Sequence, residues 1–356
     1  MSGFLLARRH IVNLLFVTLL LALTAYFLLR DGQLQVVAGA LTMVDARYML
    51  IGVAVVALFY GCEAWGLRGL LRSFELPVTL RRCYAYALID FYFSAITPGC
   101  CGGQPSQIFY MSRDHIPMGA SALSLLMFNM LYHLAVLLIA GGAVALAGIQ
   151  ILTRIGSFGY LLAYGVAAQA LLILLFCAMI FSPRWADKLP LLLIGWAARL
   201  RLVKDREAAV IEAQTQIALY RQGAAYMRAY PLLMLRTMAA LLLHIAALYS
   251  LPYWVYMALG GGALSIVEII AIQALLTLSV EALPLPGGVG VTEGGFLLVY
   301  SGVFGSELIV VALLLTRLLN YYLGLAAGGL TAAGCYRRPL RSPQLKPVMA
   351  VRKNPA

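Results

Sequence analysis

Apolar residues arrive in long blocks along this chain, and short polar connections between them hold most of the charge. Blocks at about 11–29, 48–71, 118–149, 157–182, 231–258 and 307–335 approach or exceed the roughly 20 residues that carry a helix across a bilayer. Two other blocks are interrupted. Residues 83–96 run apolar and then break at Thr97-Pro98-Gly99-Cys100-Cys101-Gly102-Gly103-Gln104-Pro105. At about 1.5 Å per residue that block reaches only ~21 Å, short of a ~30 Å hydrocarbon core. Residues 265–283 meet Pro284-Leu285-Pro286-Gly287-Gly288-Val289-Gly290, followed by a short apolar return at 294–301. The pattern predicts an all-α integral membrane protein with six full spans and two re-entrant helical hairpins.

Composition strengthens this reading. Of 356 residues, 63% are apolar and 11% charged, whereas a soluble domain carries roughly 25% charged residues to make a polar surface. The first block follows Arg8-Arg9-His10 and has no small-residue cleavage site behind it, so it reads as a retained span. The six cysteines form no C-x-x-C pair and the four histidines are scattered, which argues against a disulfide framework or a metal centre. No cofactor is expected.

A net charge of +12 raises the question of nucleic acid, but the basic residues sit between the apolar blocks. Placing the N-terminus inside, with both hairpins leaving on the side they entered, gathers most of them on the cytoplasmic face. Arg8, Arg9, Arg68, Arg72, Arg81, Arg82 and Arg113 fall there, with the connection 183–230 and the tail from Arg337 to Lys353. Arg30, Arg47 and Arg154 fall outside. This satisfies the positive-inside rule, which one full crossing in place of one hairpin breaks. It also gives the chain two halves of opposite orientation. Residues 1–150 hold a first repeat with its hairpin at 83–112. Residues 151–335 hold a second, with amphipathic cytoplasmic helices at 183–230 and a hairpin at 265–301. Residues 336–356 form a disordered basic tail. Inverted repeats with broken helices meeting at the midplane are a transporter architecture.

The hairpin tips concentrate the candidate chemistry. Irregular backbone at membrane depth is tolerated where it lines a wet cavity, and glycine-flanked helix N-termini receive phosphate through free N–H groups. Pro105 suits a first helical turn with Ser106 as a nearby cap, and Thr292 precedes Glu293 in a cap-and-acid order. Arg317 lies within a span with Asn320 one turn later, so it is the leading partner for a phosphate; a pair with Glu281 or Glu293 is the structural alternative. Thr97, Gly99, Gly102, Gly103 and Gln104 at the first tip, and Gly287, Gly288, Gly290, Thr292 and Glu293 at the second, complete the expected substrate contacts. Asp90 and Glu281 are candidates for a proton or a cationic headgroup. Gln107 is a further polar liner. Glu63 and Arg236 read as snorkelling near span ends, and His133 and His244 as satisfied interior histidines.

The two breaks also carry a resemblance. Thr97–Pro105 resembles the first signature of the lysylphosphatidylglycerol synthase transmembrane family, and Pro286-Gly287-Gly288-Val289-Gly290-Val291-Thr292-Glu293-Gly294-Gly295 resembles its second. Arg317 falls where that family's last-span arginine is expected, and the resemblance runs from about residue 10 to 335. It implies the flippase half of the multiple peptide resistance factor, which carries aminoacylated phosphatidylglycerol outward and blunts cationic antimicrobial peptides. Thr292 stands where the family often has a basic residue. A phosphatidylglycerol lysyltransferase label travels with the family, but residues 336–356 are too few for a tRNA-dependent transferase domain, so an enzyme is not expected. The expected role is a lipid translocase in a bacterial cytoplasmic membrane, both termini inside. Its partners would be membrane phospholipids and a separate aminoacyl-lipid synthase, with no nucleic acid and homo-oligomerisation left open. A lysyltransferase and a non-transporting scaffold for envelope-lipid enzymes are the alternatives.

Overall fold

The computed structural model describes residues 39, 42–97, 101–148, 159–181, 214, 225–226, 228–281 and 291–337. The block at 11–29, most of 183–230, the tail beyond Arg337 and the centre of each Pro-Gly break lie outside them. The described chain is helical: α1 (Ala46–Ser73), α2 (Leu80–Ile96), α3 (Gly103–Arg113), α4 (Met118–Ala147), α5 (Gly159–Phe181), α6 (Pro231–Ala258), α7 (Ile266–Glu281), α8 (Val291–Arg317), a π-helical turn at Leu318–Tyr322, and α9 (Leu323–Tyr336). Among the described residues, four stretches are long and apolar enough to cross a membrane: α1, α4, α6 and Val291–Tyr336. The outer surfaces of these helices are apolar too, with Leu50, Leu138, Leu235 and Leu330 exposed. A helix that is apolar on every side belongs in a core or in lipid.

Local chemistry sets the boundaries. Asp45 caps α1, its carboxylate accepting from the Arg47 N–H at 2.9 Å. Thr79 caps α2 by accepting from the Arg82 N–H, which starts that helix three residues before the apolar block. Helix α3 begins at Gly103, so Pro105 lies in its first turn as expected but Ser106 is interior and is no cap. The Thr97 hydroxyl oxygen instead accepts from the Gly102 N–H at 2.9 Å.

Helices α2 and α3 run antiparallel. Gly103 faces Asp90 and Ser94, the Gln107 amide donates to the Tyr86 carbonyl at 3.2 Å, and the Tyr86 hydroxyl donates to Asp114 at 2.6 Å. As one partner rises in sequence the other falls. Gly103 has no room for a side chain: a methyl there would sit 2.8 Å from the Asp90 carbonyl oxygen. On its other side α2 meets α9 across Gly324, Gly328 and Gly329, whose bare backbones accept Phe91 and Tyr92. Small residues of this kind let helices approach closely where lipid supplies no hydrophobic drive.

Val291–Tyr336 is 46 residues long. As one rod it would extend about 69 Å, more than twice the thickness of a hydrocarbon core. It is not one rod, because Gly305 has φ 70° and ψ 169°, outside helical geometry. Glu293 and Arg317 lie equally far from that glycine in sequence, at roughly 18 Å of helix each. Their side chains form an ion pair at 2.5 Å. Two arms of that length whose far ends touch must fold back on each other at Gly305. The expected return and final span are therefore separate arms, the return running from Val291 to the glycine.

Candidate functional site

A cavity of about 240 Å³ opens where α1, α2, α6, α7, α8 and the π-helical turn converge. That is room for roughly eight waters at ~30 Å³ each. It is smaller than the roughly 300–1,000 Å³ typical of drug-sized sites. It is large enough for a small polar group.

One wall is aromatic. Phe59 comes from α1, where His244 of α6 stacks on its ring with centroids 4.0 Å apart and bonds its carbonyl through Nδ1 at 2.9 Å. His244 is thus a satisfied interior histidine, and His133 likewise bonds Gln169 at 2.9 Å. Phe91 from α2, Tyr249 from α6 and Tyr321 from the π-helical turn complete this wall. The opposite wall is polar. On α7 the Gln273 amide donates to the Thr277 hydroxyl at 3.3 Å, and its oxygen accepts from Tyr300 at 3.1 Å. Ser94 of α2 and Thr292 of α8 also face the space. Pro252 of α6 lines it beside Leu248; proline has no N–H, so the Leu248 carbonyl loses its helical donor.

Arg317 is the charged residue on the wall among the described residues. Its guanidinium pairs with Glu293 and lies 5.7 Å from the Tyr321 ring centroid. Both side chains are mostly buried, at 13% and 27% exposure. The first turn of α8 favours the Glu293 carboxylate, because free N–H groups make that end partly positive. Thr292 lies inside the helix, after Val291, and so is not the cap. One turn beyond Arg317, Asn320 lines the cavity with a buried Oδ1 that finds no hydrogen-bond partner among the described residues.

The structure thus brings Thr292, Glu293, Arg317 and Asn320 together. Thr97, Gly102 and Gly103 form the turn of the α2–α3 hairpin, beside the cavity-lining Ser94. Gln104 is exposed on α3, away from the wall. Asp90 stands one turn before Ser94, packed on Gly103. Gly99, Gly287, Gly288 and Gly290, and the side chain of Glu281, lie outside the described residues. Arg236 is exposed near the start of α6, as snorkelling requires. Glu63 corrects the reading given to it: it is buried within α1 at 9% exposure, and Gln107, at 2%, donates to it at 3.5 Å. A buried acid needs such a partner. Gln273, Thr277, Ser94 and Tyr321 were not singled out from sequence, since an isolated polar residue in an apolar block has no periodic signal.

The sequence matches the family described as lysylphosphatidylglycerol synthase TM region over residues 10–328. No curated protein matches the chain.

Proposed function

The chain belongs to the lysylphosphatidylglycerol synthase transmembrane-region family, and on that premise we propose that this multi-pass membrane protein translocates phospholipid between leaflets. The substrate class is a phospholipid or aminoacyl-phospholipid, and export of such lipids links the protein to resistance against cationic antimicrobial peptides. The observation that carries this reading is the mostly buried Arg317 on a headgroup-sized cavity between helices of both chain halves. A guanidinium there receives phosphodiester oxygens through paired N–H donors. Headgroups cross in the cavity while acyl chains stay in lipid. The two interrupted segments act as re-entrant hairpins of an inverted repeat, six spans surround them, and both termini face the cytoplasm of a bacterium.

The test is a reconstituted leaflet assay. Purified protein in liposomes carrying fluorescent phosphatidylglycerol, or its lysyl derivative, should speed loss of the dithionite-protected signal. Arg317→Ala should slow that loss about tenfold or more, the scale of a lost charge-assisted hydrogen bond in a buried site. Protein that moves no lipid would refute translocation.

A further inference from the structure

One residue behind the polar wall does not line the cavity, yet it fixes what the wall presents. Tyr300 belongs to the arm of α8 that runs from Val291 to Gly305. It is 0% exposed, with its ring stacked on Phe296 at a centroid distance of 4.4 Å. A phenol that deep must place its proton on an acceptor. Among the described residues that acceptor is the side-chain oxygen of Gln273, on the neighbouring helix α7.

The bond decides which end of the amide faces where. Its oxygen goes to Tyr300, so its nitrogen goes the other way. One N–H donates to the Thr277 hydroxyl, one turn further along α7 and also on the wall. The second N–H meets no acceptor among the described residues. Turning the amide over would set its NH2 against the Tyr300 oxygen and strand the phenolic proton in an apolar core, which is costly. Gln273 therefore keeps a donor for the cavity that Arg317 also lines. A phosphodiester has two non-bridging oxygens, so one can accept from Arg317 and the other from Gln273.

Resting on the translocase reading, we propose that Tyr300 is a positioning residue: without touching the lipid, it turns the Gln273 amide so that an N–H is offered to a phosphodiester oxygen in the cavity.

The experiment uses full-length protein in phosphatidylcholine vesicles with acyl-labelled phosphatidylglycerol as tracer, and dithionite reads leaflet exchange. Tyr300→Phe keeps the ring and removes only the hydroxyl. Exchange should fall about fivefold, the scale of one hydrogen bond to an anion. Gln273→Leu should slow exchange as far, and adding Tyr300→Phe to it should cost nothing more, because no amide is left to orient. A merely structural tyrosine would give losses that multiply. Unfolding temperature in detergent is the second readout. Gln273→Leu strands the Tyr300 hydroxyl, so adding Tyr300→Phe should raise that temperature while exchange stays low. Exchange at the unaltered rate in either single variant, or multiplied losses in the double one, overturns the inference and leaves translocation standing. If the unaltered protein moves no tracer, translocation itself fails and the inference falls with it. Should Tyr300→Phe not fold, Gln273→Leu still decides, since unaltered exchange there would leave the amide without a role.

Discussion

At the scale of single residues, this fold depends on where side chains are missing as much as on where they are present. Gly103 sits against the Asp90 carbonyl oxygen and Ser94, and the α2–α3 hairpin closes only because nothing projects there. Gly103→Ala should therefore destabilise the protein by roughly 1–3 kcal/mol, the usual cost of overpacking. Gly262→Ala, with open space around it, should change stability by less than about 0.5 kcal/mol. Thermal unfolding in detergent compares the two. Arg317 was legible in sequence because a charge inside an apolar block is expensive, and Glu293 because it follows a glycine-rich break. That Glu293 pairs with Arg317 was left open in sequence, where either Glu281 or Glu293 could serve, and the fold at Gly305 is what brings Glu293 there. Glu63 was misread for a related reason: its buried partner Gln107 comes from a helix 44 residues away.

At the scale of elements, apolar block lengths gave most helix boundaries to within a few residues, and α6 fell at 231–258 as read. The start of α2 was missed because its first turn is basic and polar, held by the Thr79 cap. Nothing in the sequence announced the π-helical turn at Leu318–Tyr322. Such turns amount to one extra residue in a helix and recur at functional sites. Here it follows Arg317 and presents Asn320 and Tyr321 to the cavity. Deleting Leu318, which is 43% exposed, should restore a regular helix with stability equal to or above the parent. Lipid exchange should fall about tenfold, because the two side chains leave the wall. Unfolding temperature and the leaflet assay, measured on the same preparation, separate the two effects.

At the scale of the whole molecule, the all-helical membrane character was plain from composition, whereas the depth and sidedness of the hairpins rest on counting arginines. The orientation makes a direct prediction. With exposed Cys101 replaced by serine, Arg81→Cys should react with a membrane-impermeant maleimide only in inside-out vesicles, and Gly262→Cys only in right-side-out ones. Reaction of both from one side would require a different number of crossings between them. The cavity is a property of this scale as well, since helices distant in sequence build its walls and no local pattern outlines it. The fold at Gly305 has one mechanical consequence. An arm turning about that glycine as its pivot would carry Phe296, Val299 and Tyr300, which are packed in the core, along with Glu293. With roughly 18 Å between pivot and tip, a swing of about ten degrees displaces the tip by ~3 Å. That travel would part the ion pair, so the packing of those three side chains is what holds Glu293 on Arg317.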